Sequence, residues 1–160
     1  MKKRSEGMSG YRGHTFGAFA LVPCLIFLGS WVGFSLPTLL SGVLVVFLGA
    51  LFPDIDTAGR GRRFFLGCIC ICILACTSTH ALWTAGVCAF IGLLALVSRH
   101  RTLFHNIYFL LFLTICVAAW SAHLLPQYTK ELWWIAFCFV IGCFSHMLLD
   151  FGVKRSLSWR

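Results

Sequence analysis

The sequence predicts an all-α fold, a polytopic membrane helix bundle of about six transmembrane helices with the N- and C-termini cytoplasmic. Three observations carry that expectation. The 160 residues are 59% hydrophobic and only 11% charged, whereas a soluble domain keeps roughly a quarter of its residues charged. Mean hydropathy is +0.89, which places the chain in lipid rather than in water. Basic residues also sit on one side of the topology that the apolar runs define.

The apolar runs lie at about 15–34, 36–52, 64–79, 80–98, 106–125 and 132–149, and none contains Asp, Glu, Lys or Arg. A transmembrane helix takes roughly 20 residues, or as few as about 17. The first run follows Met1-Lys-Lys-Arg4 as a signal peptide would, but it is too long for an h-region and lacks a small-residue cleavage site. Pro23 is expected to kink it. Gly13 with Gly17, and Gly29 with Gly33, have the spacing that lets helices approach closely. Pro37 opens the second run and Pro53 closes it, both places where a missing N–H is tolerated. The third run is the shortest, and a re-entrant segment there would reverse the topology of everything after it. Short connections make neighbouring helices antiparallel hairpins, and Tyr128, Trp133, Trp134 and Trp159 suit interfacial anchoring. With no repeat or linker, residues 1–160 read as a single integral-membrane domain.

The net charge of +8 raises nucleic acid as a partner, but its distribution argues for lipid. With the N-terminus inside, twelve of the 13 Lys and Arg are cytoplasmic. Only Lys130, beside Glu131, lies opposite. Basic segments resting on anionic headgroups account for this pattern, and no nucleic acid is needed. The nine cysteines all fall within apolar runs. Cys68, Cys70 and Cys72 alternate, so their thiols diverge on a helix. They read as small buried hydrophobes rather than as metal ligands or a disulfide framework.

Four polar clusters interrupt the apolar chain: His14; Asp54 and Asp56; His100, Arg101 and His105; and His146 with Asp150. The same topology puts all four on the cytoplasmic side. Asp54 and Asp56 follow Pro53 in extended or turning backbone, where alternate carboxylates can both reach one cation. His146 and Asp150, at i and i+4, share one face of the last helix. Ionisable groups at that depth are costly and mark function by default. Arg101 and His105 share a face if their stretch is helical, and Arg101 suits a bidentate grip on phosphate or carboxylate. A lone interfacial His14 is bland by itself. His80 and His123 fall on the opposite side with no acid nearby and read as structural. All three Asp and four of the six His lie in the clusters, a concentration that solubility alone does not require.

These elements, in this order, resemble the YdjM-like family of bacterial inner-membrane proteins, grouped as metal-dependent hydrolases. An early His-Thr followed by Gly is present as His14 to Gly17. Gly-Ala-Leu-x-Pro-Asp-Ile-Asp is Gly49 to Asp56, His-Arg-x-x-x-His is His100 to His105, and Gly-x-x-Ser-His-x-x-x-Asp is Gly142 to Asp150. Thr102 stands where the family has Gly after His-Arg. The tract past Asp150 runs only from Phe151 to Arg160, so substrate contacts that the family makes there are expected to be absent.

The resemblance and the residues together lead to one expectation, metal-assisted hydrolysis at the cytoplasmic face of the bacterial inner membrane. His14, Asp54, Asp56, His105, His146 and Asp150 are the expected ligands of a divalent ion, Zn, Mn or Fe. His100, Arg101 and His105 are the expected catalytic residues, as general base, anion holder and auxiliary. The partners are membrane lipid and a lipid-like phosphoester or ester. Oligomeric state is not encoded in any of these features. The alternatives are an ion or solute transporter, which needs polar groups across the bilayer, and a non-catalytic membrane scaffold.

Overall fold

In the computed structural model, residues 11–56, 60–98 and 103–151 are described. They form six α-helices: α1 Tyr11–Trp31, α2 Leu36–Leu51, α3 Arg60–Ser78, α4 Leu82–Val97, α5 Ile107–Leu124 and α6 Thr129–Phe151. Short 3-10 turns, Phe52–Asp56 and Pro126–Tyr128, follow α2 and precede α6. No strand occurs among the described residues. The protein is an all-α membrane helix bundle, and its six apolar runs are its six helices.

Five segments are long and apolar enough to cross a membrane: Gly13–Trp31, Leu36–Asp56, Gly61–Ser78, Ile107–Leu124 and Pro126–Asp150. One detail departs from the sequence expectation. The third helix is not the shortest, because α3 runs for 19 residues. It starts in the basic stretch Arg60-Gly-Arg-Arg63, which a charge-free count omits. Arginine stems can lie along apolar surface with their heads in water. α4, with 16 residues, is shorter. It spans about 24 Å at helical rise against a hydrocarbon core of about 30 Å. α1 continues as one helix through Pro23.

The chain divides into two compact units. The first comprises residues 1–53 and 106–160, and holds α1, α2, α5 and α6; the second comprises residues 54–105, with α3 and α4.

In the first unit α6 packs against α1, α2 and α5. Without water, a bundle in lipid is held by close packing and hydrogen bonds rather than by hydrophobic burial. Glycine provides the closeness. A Cβ built on Gly49 would strike the backbone of Phe139, and one built on Gly142 would strike the backbone carbonyl of Val46. α2 and α6 therefore touch backbone to backbone, running in the same direction. On α1, a Cβ at Gly17 would lie 2.7 Å from Leu149 and 2.9 Å from Ser145 Oγ, so α1 lies antiparallel against α6. Ala18, Leu25, Val46, Ala50, Trp134 and Cys138 form the buried core of this layer. Large apolar side chains such as Phe16, Phe19, Phe27, Leu40 and Phe112 are exposed. A lipid-facing surface accounts for them, where an aqueous one would not.

In the second unit α3 and α4 form an antiparallel hairpin. Arg62 at the start of α3 donates to the Leu96 carbonyl near the end of α4, at 3.5 Å. Gly92 lets Ile69 come close, 3.3 Å from where a Cβ would stand.

The two hairpin turns after α1 and α3 are built alike. Phe34 N–H donates to the Gly29 carbonyl and Gly33 N–H to that of Ser30; Ala81 N–H donates to Cys76 and His80 N–H to Thr77. Both are Schellman caps, which need a left-handed residue after the helix. Gly33 fills that position with φ 82°, whereas His80 does so with φ 59°. His80 is thus a turn residue, in keeping with the structural role its sequence position suggests.

Two stability predictions follow from this packing. Gly142→Leu drives a side chain into the α2 backbone and should cost about 3 kcal/mol or more, at or beyond the upper end of over-packing penalties. Thermal unfolding in mild detergent should show early loss of α6 packing. His80→Gly relieves a left-handed β-carbon and should leave stability unchanged or raise it by up to ~1 kcal/mol, while His80→Val should lower it by about 1–3 kcal/mol. A melting series of the three proteins would contradict the cap assignment if Val were tolerated as well as Gly.

Candidate metal centre

The first unit gathers a polar cluster at one end of its core. His14 stands in the first turn of α1, and His146 and Asp150 stand in the last turns of α6. The α1–α6 contact at Gly17 brings these ends together. The two imidazoles stack with centroids 3.8 Å apart and planes inclined by 14°. Asp150 faces both rings: His14 Nε2 lies 3.4 Å from Oδ1 and His146 Nε2 lies 3.5 Å from Oδ2. All three side chains are buried, at 3%, 0% and 7% exposure.

The orientation of His146 comes from its other nitrogen. Nδ1 is 2.7 Å from the carbonyl of Ala50. A carbonyl can only accept, so Nδ1 carries the proton and donates it. The acceptor is available for a reason visible in the chain. Ala50 lies in the last turn of α2, where carbonyls lose their helical partners, and Pro53 has no N–H for it three residues on. The neutral ring is thereby fixed in the tautomer that turns an unprotonated Nε2 toward Asp150. That is how metal-binding histidines are usually held, with the distal N–H tied to a carbonyl or carboxylate.

The distances fit the same reading. Charge-assisted N–H···O contacts run at about 2.7–2.9 Å, shorter than the 3.4 and 3.5 Å found here. Ligand atoms about 2.1 Å from a tetrahedral ion lie about 3.4 Å from one another. Imidazole and carboxylate are also the donor types that three-ligand metal sites combine.

The second unit holds another cluster. Asp54 and Asp56 lie on the 3-10 turn Phe52–Asp56, and His105 lies in the turn before α5. His105 Nε2 is 3.9 Å from Asp54 Oδ1, and its Nδ1 is 3.8 Å from Asp56 Oδ2. His105 and Asp56 side chains are 1% and 0% exposed, whereas Asp54 is 38% exposed. The sequence allowed an extended backbone here, in which alternate residues share a side. A 3-10 turn has three residues per turn, so Asp54 and Asp56 project in different directions, one outward and one inward.

Within the first unit His14, His146 and Asp150 stand together, and within the second Asp54, Asp56 and His105 do. Residues 103–105 form a turn rather than a helix, and the expected pairing of Arg101 with His105 lies outside the described residues. The expected catalytic residues His100 and Arg101 lie outside the described residues. His80 and His123 are exposed and belong to neither group.

Two participants escaped sequence reasoning. Ala50 acts through its backbone, and only the small pair Gly49-Ala50 before Pro53 hints at an approachable carbonyl. Asn106, directly after His105, caps α5 by accepting from Tyr108 N–H at 2.9 Å and Phe109 N–H at 3.3 Å. The Asn at a turn before an apolar run is a readable N-cap signal.

His146→Phe keeps the ring's bulk but removes the donor to Ala50 and should cost about 1–3 kcal/mol, as for a buried acceptor left unpaired. His14→Phe retains the stacking ring and should cost less. Denaturant unfolding of both variants in mild detergent would show the asymmetry; equal losses would count against the Ala50 bond as the stronger tie.

The YdjM inner membrane protein family model matches residues 11–159. That match includes all six expected ligands together with His100 and Arg101. No curated protein and no solved structure matches the chain.

Proposed function

The chain belongs to the YdjM inner membrane protein family, and we propose that it is a metal-dependent hydrolase of the bacterial inner membrane. One observation supports this above the others. His146 Nδ1 is tied to the Ala50 carbonyl at 2.7 Å while its Nε2 faces Asp150 beside the stacked His14. Metal-binding histidines are held in the same way, with the distal N–H tied to a carbonyl.

In this reading His14, His146 and Asp150 hold a divalent ion, and Asp54, Asp56 and His105 offer a second donor set. Nitrogen and carboxylate donors together suit Zn, Mn or Fe. Such an ion, when bound, lowers the pKa of its water toward neutrality and polarises the bond to be cleaved. The chain's own contribution is positional: Ala50 sets the His146 tautomer, and stacking holds His14 parallel to it. Arg101 would grip an anionic group and His100 would serve as general base, roles that rest on the sequence. Basic residues concentrated on one side of the predicted topology orient the site toward the cytoplasm. A site embedded among apolar helices favours an amphiphile, so the substrate class is a lipid-linked phosphoester or ester.

A transporter reading would require polar groups continuing across the bilayer. The buried titratable Asp and His side chains among the described residues are those of the two clusters. That concentration favours a local reaction centre.

Elemental analysis of the detergent-purified protein is the decisive test. We expect one or two transition-metal ions per chain in the wild type, with loss in His146→Ala and Asp150→Ala while both remain helical and monodisperse. A wild type that carries no ion, even after reconstitution with Zn or Mn, would overturn the hydrolase mechanism. With the ion established, hydrolysis of phosphoester and ester lipids should follow its removal and return.

A further inference from the structure

We propose that Asp56 is a positioning residue for His105 rather than a metal ligand, and that Asp54 and His105 Nε2 form the cation-facing side of that cluster. The inference rests on the metal reading above and assigns roles within it.

The first argument is the shape of imidazole. Its two nitrogens point away from each other in the ring plane, so one ion cannot take both. His105 has a different carboxylate opposite each nitrogen, Asp54 at Nε2 and Asp56 at Nδ1, at 3.9 and 3.8 Å. Only one of the two carboxylates can therefore share an ion with this ring. The other faces the opposite ring nitrogen at a separation wider than a hydrogen bond, where a shift of about 1 Å would let it accept the N–H.

Burial decides which is which. Asp56 is 0% exposed and the His105 ring 1%, whereas Asp54 is 38% exposed. An ion arriving from water, and the water it must exchange, meet Asp54 first. On the dry side, a carboxylate needs a donor to offset its lost hydration. Nδ1 is the ring nitrogen that faces Asp56 on that side, 3.8 Å from its Oδ2.

The backbone imposes the same division. Along the 3-10 turn, Asp54 and Asp56 cannot project together, and Ile55 between them is fully buried. The turn is anchored inward at 55 and directs one carboxylate to each side of the ring. The arrangement reproduces what His146 shows, where an oxygen holds Nδ1 and a carboxylate faces Nε2. In one case the oxygen at Nδ1 is the Ala50 carbonyl, at 2.7 Å; in the other it is Asp56 Oδ2, at 3.8 Å.

The test uses the full chain in detergent with 15N-labelled histidine, His105 being assigned by the signal lost in His105→Gln. In metal-free wild type the neutral His105 ring should be the Nδ1–H tautomer. Asp56→Asn should disturb that tautomer and weaken Co(II) binding ten- to a hundredfold at unchanged stoichiometry, the usual effect of losing a partner behind a ligand. Asp54→Asn should instead abolish the Co(II) contact to His105. An Nε2–H tautomer in the wild type overturns the proposal. So does an Asp56→Asn protein that loses the ion outright, or one whose affinity is unchanged. The wild-type tautomer needs no variant, so a misfolded Asp56→Asn does not block the test. A wild type that takes up no Co(II) overturns the metal reading, and the tautomer then still decides whether Asp56 orients His105.

Discussion

The contact on which the first unit depends is the backbone crossing of α2 and α6 at Gly49 and Gly142. A β-carbon at either position would collide with the other helix's main chain. In lipid, where apolar side chains gain little by leaving one neighbour for another, such close approach is a main source of helix association. It also sets distances for the site. The crossing lies one residue from Ala50 and four from His146, so the separation that closes the two backbones also puts a carbonyl within 2.7 Å of a ring nitrogen. A wider crossing would leave the imidazole without its donor contact and its tautomer undefined. Gly17 repeats the device on α1, and the His14 ring stacks on that of His146 as a result.

Electrostatics then explains why the polar residues must be gathered. A carboxylate removed from water costs several kcal/mol unless donors or a cation replace its hydration. Asp150 and Asp56 are both nearly or fully buried. Each is within 4 Å of imidazole nitrogen, and Asp150 faces two rings at once. No lysine or arginine needs to enter the apolar interior. Imidazole can be neutral and still present a donor on one side and a lone pair on the other. That lets it line a dry site and offer a cation a lone pair without adding to the buried charge.

Much of this could be read from the chain, and the limits have physical causes. Composition and run length revealed the helices because lipid demands apolar surface whatever the fold. The His146–Asp150 pair was legible because i and i+4 adjacency is a property of one helix. His14 was expected with His146 in one ligand set, but their stacking was not legible, since it depends on a tertiary approach that Gly17 permits but does not announce. Ala50 was invisible because it acts through its main chain. The opposed directions of Asp54 and Asp56 were hidden in the choice between extended backbone and a 3-10 turn, which spacing alone leaves open. His80 shows the converse: a residue type rich in chemistry does plain conformational work at a left-handed cap.

The two clusters differ in a way that bears on chemistry. The His14–His146–Asp150 set is rich in nitrogen and dry throughout, conditions that strengthen every electrostatic interaction within it. The Asp54–His105–Asp56 set is rich in oxygen and open to water at one carboxylate. A nitrogen-rich buried set suits a tightly held borderline ion, and an oxygen-rich wetted set suits exchange with water or with an anionic substrate's counter-ion. The glycine crossing and the proline-ended turn come from one stretch of chain, Gly49 to Asp56, whose first half supplies the carbonyl that holds the His146 ring and whose second half supplies two carboxylates. A change of one β-carbon at Gly49 or Ala50 therefore alters how the His146 ring is held without altering the ring itself.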